Sequence, residues 1–323
     1  MRVYAVVPVA PFEPESVITK SIECFKELES DNFTFEVYYV IDSLPGDNRD
    51  LHWELPDNFK ILLRNTSRGR KAGAINDFLK EITDADYVAI FDVDCRPAKD
   101  YIVKCVAALE EDDSAVLSQG CKFINNMSNV LTKTASLESN FMCEVNQSLS
   151  RSHNFFAFMG SMVVKGSFLE SQTFNEEVMD ETADMLALIY VKGEVAVLAN
   201  TTVGEQAPTT LRDLYHQRVR WSRGVVESFN RHVIPMINAP IPFIRKLSWL
   251  SVIVFFFCQF LLSPVLLRVD KILKLSDGPL EFVKLLAGGI GYSCLMTICG
   301  FVAITQHATS SKFEWRPPTR SDL

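Results

Sequence analysis

Between residue 1 and about residue 120, short apolar runs alternate with stretches of mixed polarity, and this rhythm limits the possible folds more than any other feature of the chain. "VYAVVPV", "FTFEVYYVID", "NFKILLRN" and "YVAIFDVD" read as buried strands. "PESVITKSIECFKELES" and "KAGAINDFLKEI" read as helices between them. Such strand–helix–strand units predict an α/β fold, a mainly parallel sheet flanked by helices. Ligands of these sheets lie beyond the carboxyl ends of the strands. Asp42 and the pair Asp92 and Asp94 fall at such ends. If the strand continues to Asp94, the two carboxylates point to one side, because side chains alternate along a strand. That arrangement suits Mg2+ or Mn2+, which take oxygen ligands and bridge carboxylates to phosphates. The competing reading is a helix or turn start, with Asp94 as cap and Pro97 in the first turn.

Residues 121 to about 205 are less regular. "VLTKTASLESNFMCEVNQSLS" and "DETADMLALIYVKG" read as helices, the second ended by Gly193. "FAFMGSMVVKGSFLE" reads as a turn and a short strand, and "EVAVLAN" as another strand. "TLRDLYHQRVRWSRGVVESFNRHV" reads as a basic helix. Two polar clusters stand out. "SRGRKAGAIN", residues 67–76, combines three cations, two glycines and a helix start, which suits an anion; an ordinary exposed basic turn is the alternative. Together with Asp42 and the aspartate pair it describes a nucleotide diphosphate site. In "HQRVRW", Gln217 and Trp221 are four apart and share a helix face, with Arg220 beside them. An aromatic plate among amide and guanidinium donors suits the apolar face and hydroxyl rim of a sugar.

At 323 residues and 48% hydrophobic, the chain has material for one large or two smaller cores. A net charge of −8 argues against a general nucleic-acid binder. The eight cysteines show no C-x-x-C pair and read as reduced thiols of a cytoplasmic domain and of membrane helices. The first apolar run is too short for a secretory signal and is broken by Pro8 and Pro11. Residues 247–267 and 285–306 carry no charge, and each suffices for a bilayer core, which needs roughly 20 residues; a pair of buried core helices is the alternative. The cations around the first run are mixed with acids, so the positive-inside signal is weak. The expected organisation is a cytoplasmic catalytic domain at 1–232 and an interfacial segment at 233–246, with Trp249 as a nearby anchor. Two transmembrane helices at 247–306 and a cytoplasmic tail at 307–323 follow, which makes a multi-pass membrane protein.

Asp42 after the second strand, "KAGAIN" (71–76), "DVD" (92–94), "FMGS" (158–161) and "QRVRW" (217–221) occur in one order over most of residues 1–230. In this the chain resembles the family 2 glycosyltransferases, in the branch of cellulose, chitin and hyaluronan synthases. The resemblance implies a GT-A fold, a nucleotide-sugar donor (usually UDP-linked), a divalent metal and inversion at the anomeric carbon. It implies that Pro8, Asp42, Lys71, Asn76, Asp92, Asp94 and Arg220 meet the nucleotide-sugar, with Asp94 and Asp92 on the metal. Gly160, Ser161, Gln217 and Trp221 would then line the acceptor site.

The chain departs from that pattern at the general base. The family carries an acidic pair ahead of a glycine, the second member taking the acceptor proton. Counting back from Gly193, Glu181 and Thr182 stand there, and threonine cannot take a proton at neutral pH. The candidates are Glu181, then Asp180, then Asp184; on a helix Asp180 and Asp184 would share a face. The membrane part also departs, since two spans do not enclose a polymer path. The expected acceptor is therefore a lipid-linked or membrane-presented glycan at the bilayer. Two alternatives stay open. One is a processive polysaccharide synthase acting as a homo-oligomer through the glycines at 288, 289 and 291. The other is a non-catalytic nucleotide-sugar-binding regulator.

Overall fold

The computed structural model describes residues 1–30, 33–153, 155–156, 160–258 and 268–310. It divides into two compact units. The first comprises Met1–Cys121, Met159–Ile189 and Glu194–Gly204; the second comprises Lys122–Phe158, Tyr190–Gly193 and Glu205–Leu323.

The first unit begins with β1 (Arg2–Val9), α1 (Glu15–Phe25), β2 (Thr34–Asp42), β3 (Phe59–Arg64), α2 (Arg70–Glu81) and β4 (Tyr87–Ile90). β1 lies between β2 and β4, and β3 flanks β2, all parallel. The short strand β5 (Arg96–Pro97), α3 (Tyr101–Glu110) and β6 (Ala115–Ile124) follow. β7 (Met162–Lys165), α5 (Gly166–Glu170), α6 (Glu181–Val191) and β8 (Val195–Glu205) complete the unit. The sheet order is β3-β2-β1-β4-β7-β6-β8-β5.

β7 runs antiparallel to both β4 and β6, and β5 is antiparallel to β8. The expected mainly parallel sheet is thus corrected to a mixed one. The free edge of β4 is taken by a strand that enters from the opposite end, and nothing in the four residues "MVVK" announces that reversal. The core forms where Val7, Ile18, Ile22, Phe25, Tyr39, Phe91 and Tyr101 meet. Phe25 and Phe91 touch edge to face at 4.9 Å.

The second unit holds α4 (Val130–His153), α7 (Leu211–Asn238), α8 (Phe243–Phe257), α9 (Val269–Leu275) and α10 (Pro279–Ala308). Thr210 caps α7 by accepting from Asp213 N at 3.2 Å. Leu137, Ile272 and Leu285 form one packed cluster, and Leu214, Tyr292 and Met296 another. Among the described residues one helix, α10, is long and apolar enough to cross a membrane. Its 30 residues span about 45 Å at 1.5 Å per residue. The first uncharged run is helical through Phe257, and its residues 259–267 lie outside the described residues, as do 311–323 of the expected tail.

Three expectations change. Trp249 is buried and stacks on Phe229 at 5.7 Å, so it packs within the helices instead of anchoring in an interface. A Cβ on Gly288 would lie 3.0 Å from Val130 of α4, so this glycine serves an approach within the chain. Cys24, Cys95, Cys105, Cys258, Cys294 and Cys299 are free thiols, whereas Cys121 and Cys143 are disulfide-bonded. Two of the eight cysteines are therefore not the reduced thiols expected of a cytoplasmic domain.

Candidate functional site

In the first unit the candidate residues gather at the carboxyl ends of β1, β2 and β4. Pro8 stands opposite Val40, one residue before the end of the pairing between β1 and β2. Asp42 ends β2, and the parallel register sets it against Arg64 of β3. Arg64 Nη1 donates to Asp42 Oδ1 at 2.7 Å, and Arg64 Nε to Asp77 Oδ2 at 3.0 Å. Burial pushes the Asp42 carboxyl up to about 6, against the pull of Arg64. Arg49 fastens the surrounding loops. It donates to the carbonyls of Ala10, Glu13 and Asp42 at 3.2, 3.3 and 2.8 Å, and pairs with Asp47. Neither arginine was among the sequence candidates. Arg64 carries a signal in hindsight, a cation at the end of an apolar strand beside an acid-ended one; Arg49 carries none.

The DVD segment is a turn. β4 stops at Ile90, and Cys95 N donates to Asp92 O at 3.0 Å. Strand alternation therefore does not govern Asp92 and Asp94. The donor set still fits a hard cation. Asp92 is half exposed and Asp94 partly buried, while the softer Cys95 is turned inward and accepts from Ser161 Oγ at 3.1 Å. Asp92 and Asp94 are the oxygen donors of this turn that could hold one.

Lys71 ties this turn to α6. Its Nζ lies 2.7 Å from Asp92 Oδ1 and 3.2 Å from Glu181 Oε1. Burial alone would depress the ammonium, but Asp92 and Glu181 outweigh burial and raise it above the ordinary lysine value, so it stays charged. α2 reaches this position through Gly69, whose φ of +64° suits glycine, and Gly73, where a Cβ would meet Arg68 O at 2.0 Å.

The three cations of the 67–76 cluster are all engaged within the unit. Arg68 pairs with Asp77 and Glu176, and Arg70 donates to Val178 O and Met179 Sδ. The expected basic turn is largely neutralised. Asn76 is spent on the loop beside it, donating to Phe174 O at 2.8 Å and accepting from Phe174 N at 2.9 Å.

The three acids before Gly193 separate. Asp180 precedes α6 and caps it, accepting from Thr182 N, Thr182 Oγ1 and Ala183 N at 3.2, 2.6 and 3.0 Å. It does not share a helix face with Asp184, which is buried in the first turn. Thr182 spends its hydroxyl on Asp180, and Glu181 pairs with Lys71. Of "FMGS", residues 158–159 lie outside the described residues. Gly160 N donates to Gln119 Oε1 at 3.2 Å, and Ser161 is buried, its carbonyl accepting from Tyr101.

In the second unit, Gln217, Arg220 and Trp221 lie on α7. Gln217 Oε1 is buried with no hydrogen-bond partner among the described residues. Lys122 Nζ stands 5.0 Å and Arg218 Cζ 4.0 Å from the Trp221 ring centre.

Residues 87–305 match the family described as Glycosyl transferase family group 2, about two thirds of the chain. The chain belongs to this family. Within glycosyl transferase family group 2 it is similar to a glucomannan 4-beta-mannosyltransferase of Arabidopsis thaliana. They are 27% identical over 54% of this chain and 34% of the relative. It is also 26% identical to a beta-monoglucosyldiacylglycerol synthase of Nostoc sp., over 67% of this chain and 47% of that one. The chain thus spans between a third and a half of the length of these relatives. Its fold is that of a mannosyltransferase from Pyrobaculum calidifontis solved with GDP-Man and Mn2+. The TM-score is 0.61 at 17% identity, over 96% of this chain and 88% of the other. The mixed sheet with flanking helices is therefore GT-A-like.

Proposed function

We propose that this family member is an inverting hexosyltransferase that moves one sugar from a nucleotide diphospho-sugar to a lipid-linked or membrane-presented acceptor. The observation that carries the reading is Lys71, which joins the Asp92 turn to Glu181 within 3.2 Å. It draws together a candidate donor-side carboxylate and a candidate base. Asp42, with Arg64 on one oxygen, has its second oxygen to accept from a base edge. Asp92 and Asp94 would hold Mn2+ or Mg2+, which when bound takes up charge on the departing diphosphate. On α7 of the second unit, Trp221 with Gln217 receives the acceptor sugar, and Arg220 is the further candidate of the family pattern.

In the transfer, the acceptor hydroxyl oxygen bonds to the anomeric carbon from the face opposite the phosphate. The carbon–phosphate-oxygen bond breaks, and the nucleoside diphosphate leaves with that electron pair. Glu181 takes the hydroxyl proton. Its pairing with Lys71 fixes the carboxylate in place before the acceptor arrives.

The bilayer part of the reading rests on α10 and on the apolar side chains exposed along it, Leu280, Val283, Ile298 and Phe301. The glycolipid synthase among the relatives supports a lipid acceptor. The proposed organisation keeps a catalytic part at 1–232 and a membrane part at 247–306. The test is sugar transfer from UDP- and GDP-linked donors, with and without membrane lipid extract. Transfer only with extract supports the reading; donor hydrolysis without transfer under every condition overturns it.

A further inference from the structure

We propose that Glu138, Arg218 and Tyr292 form a buried positioning lock that sets the ring of Trp221, and that Arg218 itself never touches substrate. The inference rests on Trp221 being an acceptor plate, as proposed above. The segment "QRVRW" contains two arginines, and the structure treats them differently. Arg220 is half-buried, whereas the Arg218 side chain is 6% exposed. Arg218 Nη2 donates to Glu138 Oε2 at 2.8 Å, and Tyr292 donates its hydroxyl to the same oxygen. The three residues come from α7, α4 and α10, all within the second unit.

Arg218 and Trp221 are three apart on α7 and share a face. The guanidinium carbon lies 4.0 Å from the indole centre and 5.5 Å from the Tyr292 ring. Lys122, paired to Glu205 at 3.0 Å, meets the same indole at 5.0 Å. The ring therefore meets two cations whose own positions are fixed by acids.

A buried ion pair is a poor way to hold three helices together, because its desolvation offsets its attraction and apolar residues of equal volume pack as well. Arg218 Nε and Ser222 Oγ are moreover buried without hydrogen-bond partners among the described residues. Apolar packing cannot fix the plane of a guanidinium against an indole, and a carboxylate shared with a tyrosine hydroxyl does. The arrangement gives up stability and gains orientation at the one aromatic residue proposed to receive the sugar.

The test is fluorine NMR of the full-length protein labelled with fluorotryptophan, in which Trp221 is assigned by its loss in Trp221→Phe. Glu138→Gln is expected to shift and broaden the Trp221 resonance while Trp53, Trp249 and Trp315 stay in place. In transfer assays it should raise the acceptor KM by about tenfold, the scale of a desolvated cation–π contact, with the donor KM unchanged. Glu138→Asp should recover part of both effects. An unmoved Trp221 resonance in folded Glu138→Gln, or movement of all four resonances together, overturns the proposal. If Glu138→Gln does not fold, the double variant Glu138→Met with Arg218→Met removes both charges and keeps the volume. The Trp221 resonance must still move there, and an unchanged one refutes the lock. The resonance needs no catalysis, so absence of any transfer would count against the transferase reading and leave the lock to be decided by NMR.

Discussion

Glu181→Gln removes the proton acceptor and keeps the shape. In the structure this exchanges a carboxylate for an amide 3.2 Å from Lys71 Nζ, while Lys71 keeps Asp92 at 2.7 Å. A hydrogen bond to a charged group is worth about 1.5–3 kcal/mol, and an amide oxygen retains part of it. The loss of stability should therefore be about 1 kcal/mol, the remaining partner preventing an uncompensated ammonium. The loss of rate should be far larger, since general bases contribute on the order of a hundred- to ten-thousand-fold. Single-turnover transfer measured beside calorimetric donor binding separates the two. The account expects a rate lower by that factor, with donor affinity changed less than about threefold, or 0.7 kcal/mol. Asp180→Asn, at the cap of α6, should change stability by less than about 1 kcal/mol, since asparagine caps as well as aspartate, and leave the rate nearly intact. Near-full rates in both variants would show that the proton leaves by another route, and the reasoning fails.

Asp94→Ala should abolish the Mn2+- or Mg2+-dependent part of donor binding without altering far-UV circular dichroism; undiminished metal-dependent binding shows that Asp94 is no ligand. Donor affinity should fall as pH drops through about 6, because the Asp42 carboxyl, raised there by burial, gains a proton and stops accepting from the base. Asp42→Asn should flatten that profile, and a profile that persists in the variant rules Asp42 out. Thr182→Asp, at the position where the family pattern places its base, should preserve or raise the transfer rate; a collapse of rate in a folded variant contradicts the assigned register. The full-length protein should fractionate with membranes and require detergent for release, and recovery in the soluble fraction removes the bilayer assignment.

The parallel half of the sheet was legible because β1, β2 and β4 are short, largely buried apolar runs, and the carboxyl ends of β2 and β4 carry Asp42 and Asp92 directly in the sequence. Lys71 and Glu181 were each legible as residue types, but not their meeting, which depends on how α2 and α6 pack. The reversal at β7 was not legible, because a four-residue apolar strand pairs equally well in either direction. The reading of Asp92 and Asp94 as strand residues failed because one backbone hydrogen bond, Cys95 N to Asp92 O, closes a turn there. Asp180 went to the cap for a similar local reason, since three donors at the start of α6 compete for its carboxylate. Glu138 and Tyr292 stayed invisible because nothing in their own helices marks them; their partner Arg218 lies 80 residues from one of them in sequence.

The most direct measurement is the mass and anomeric configuration of the product formed when the protein is given a nucleotide-sugar panel and lipid extract. The account predicts a lipid-soluble product heavier by one hexose unit, with configuration inverted relative to the donor and dependent on Glu181. Retained configuration, a polymer ladder, or nucleoside diphosphate release with no glycosylated product would contradict it.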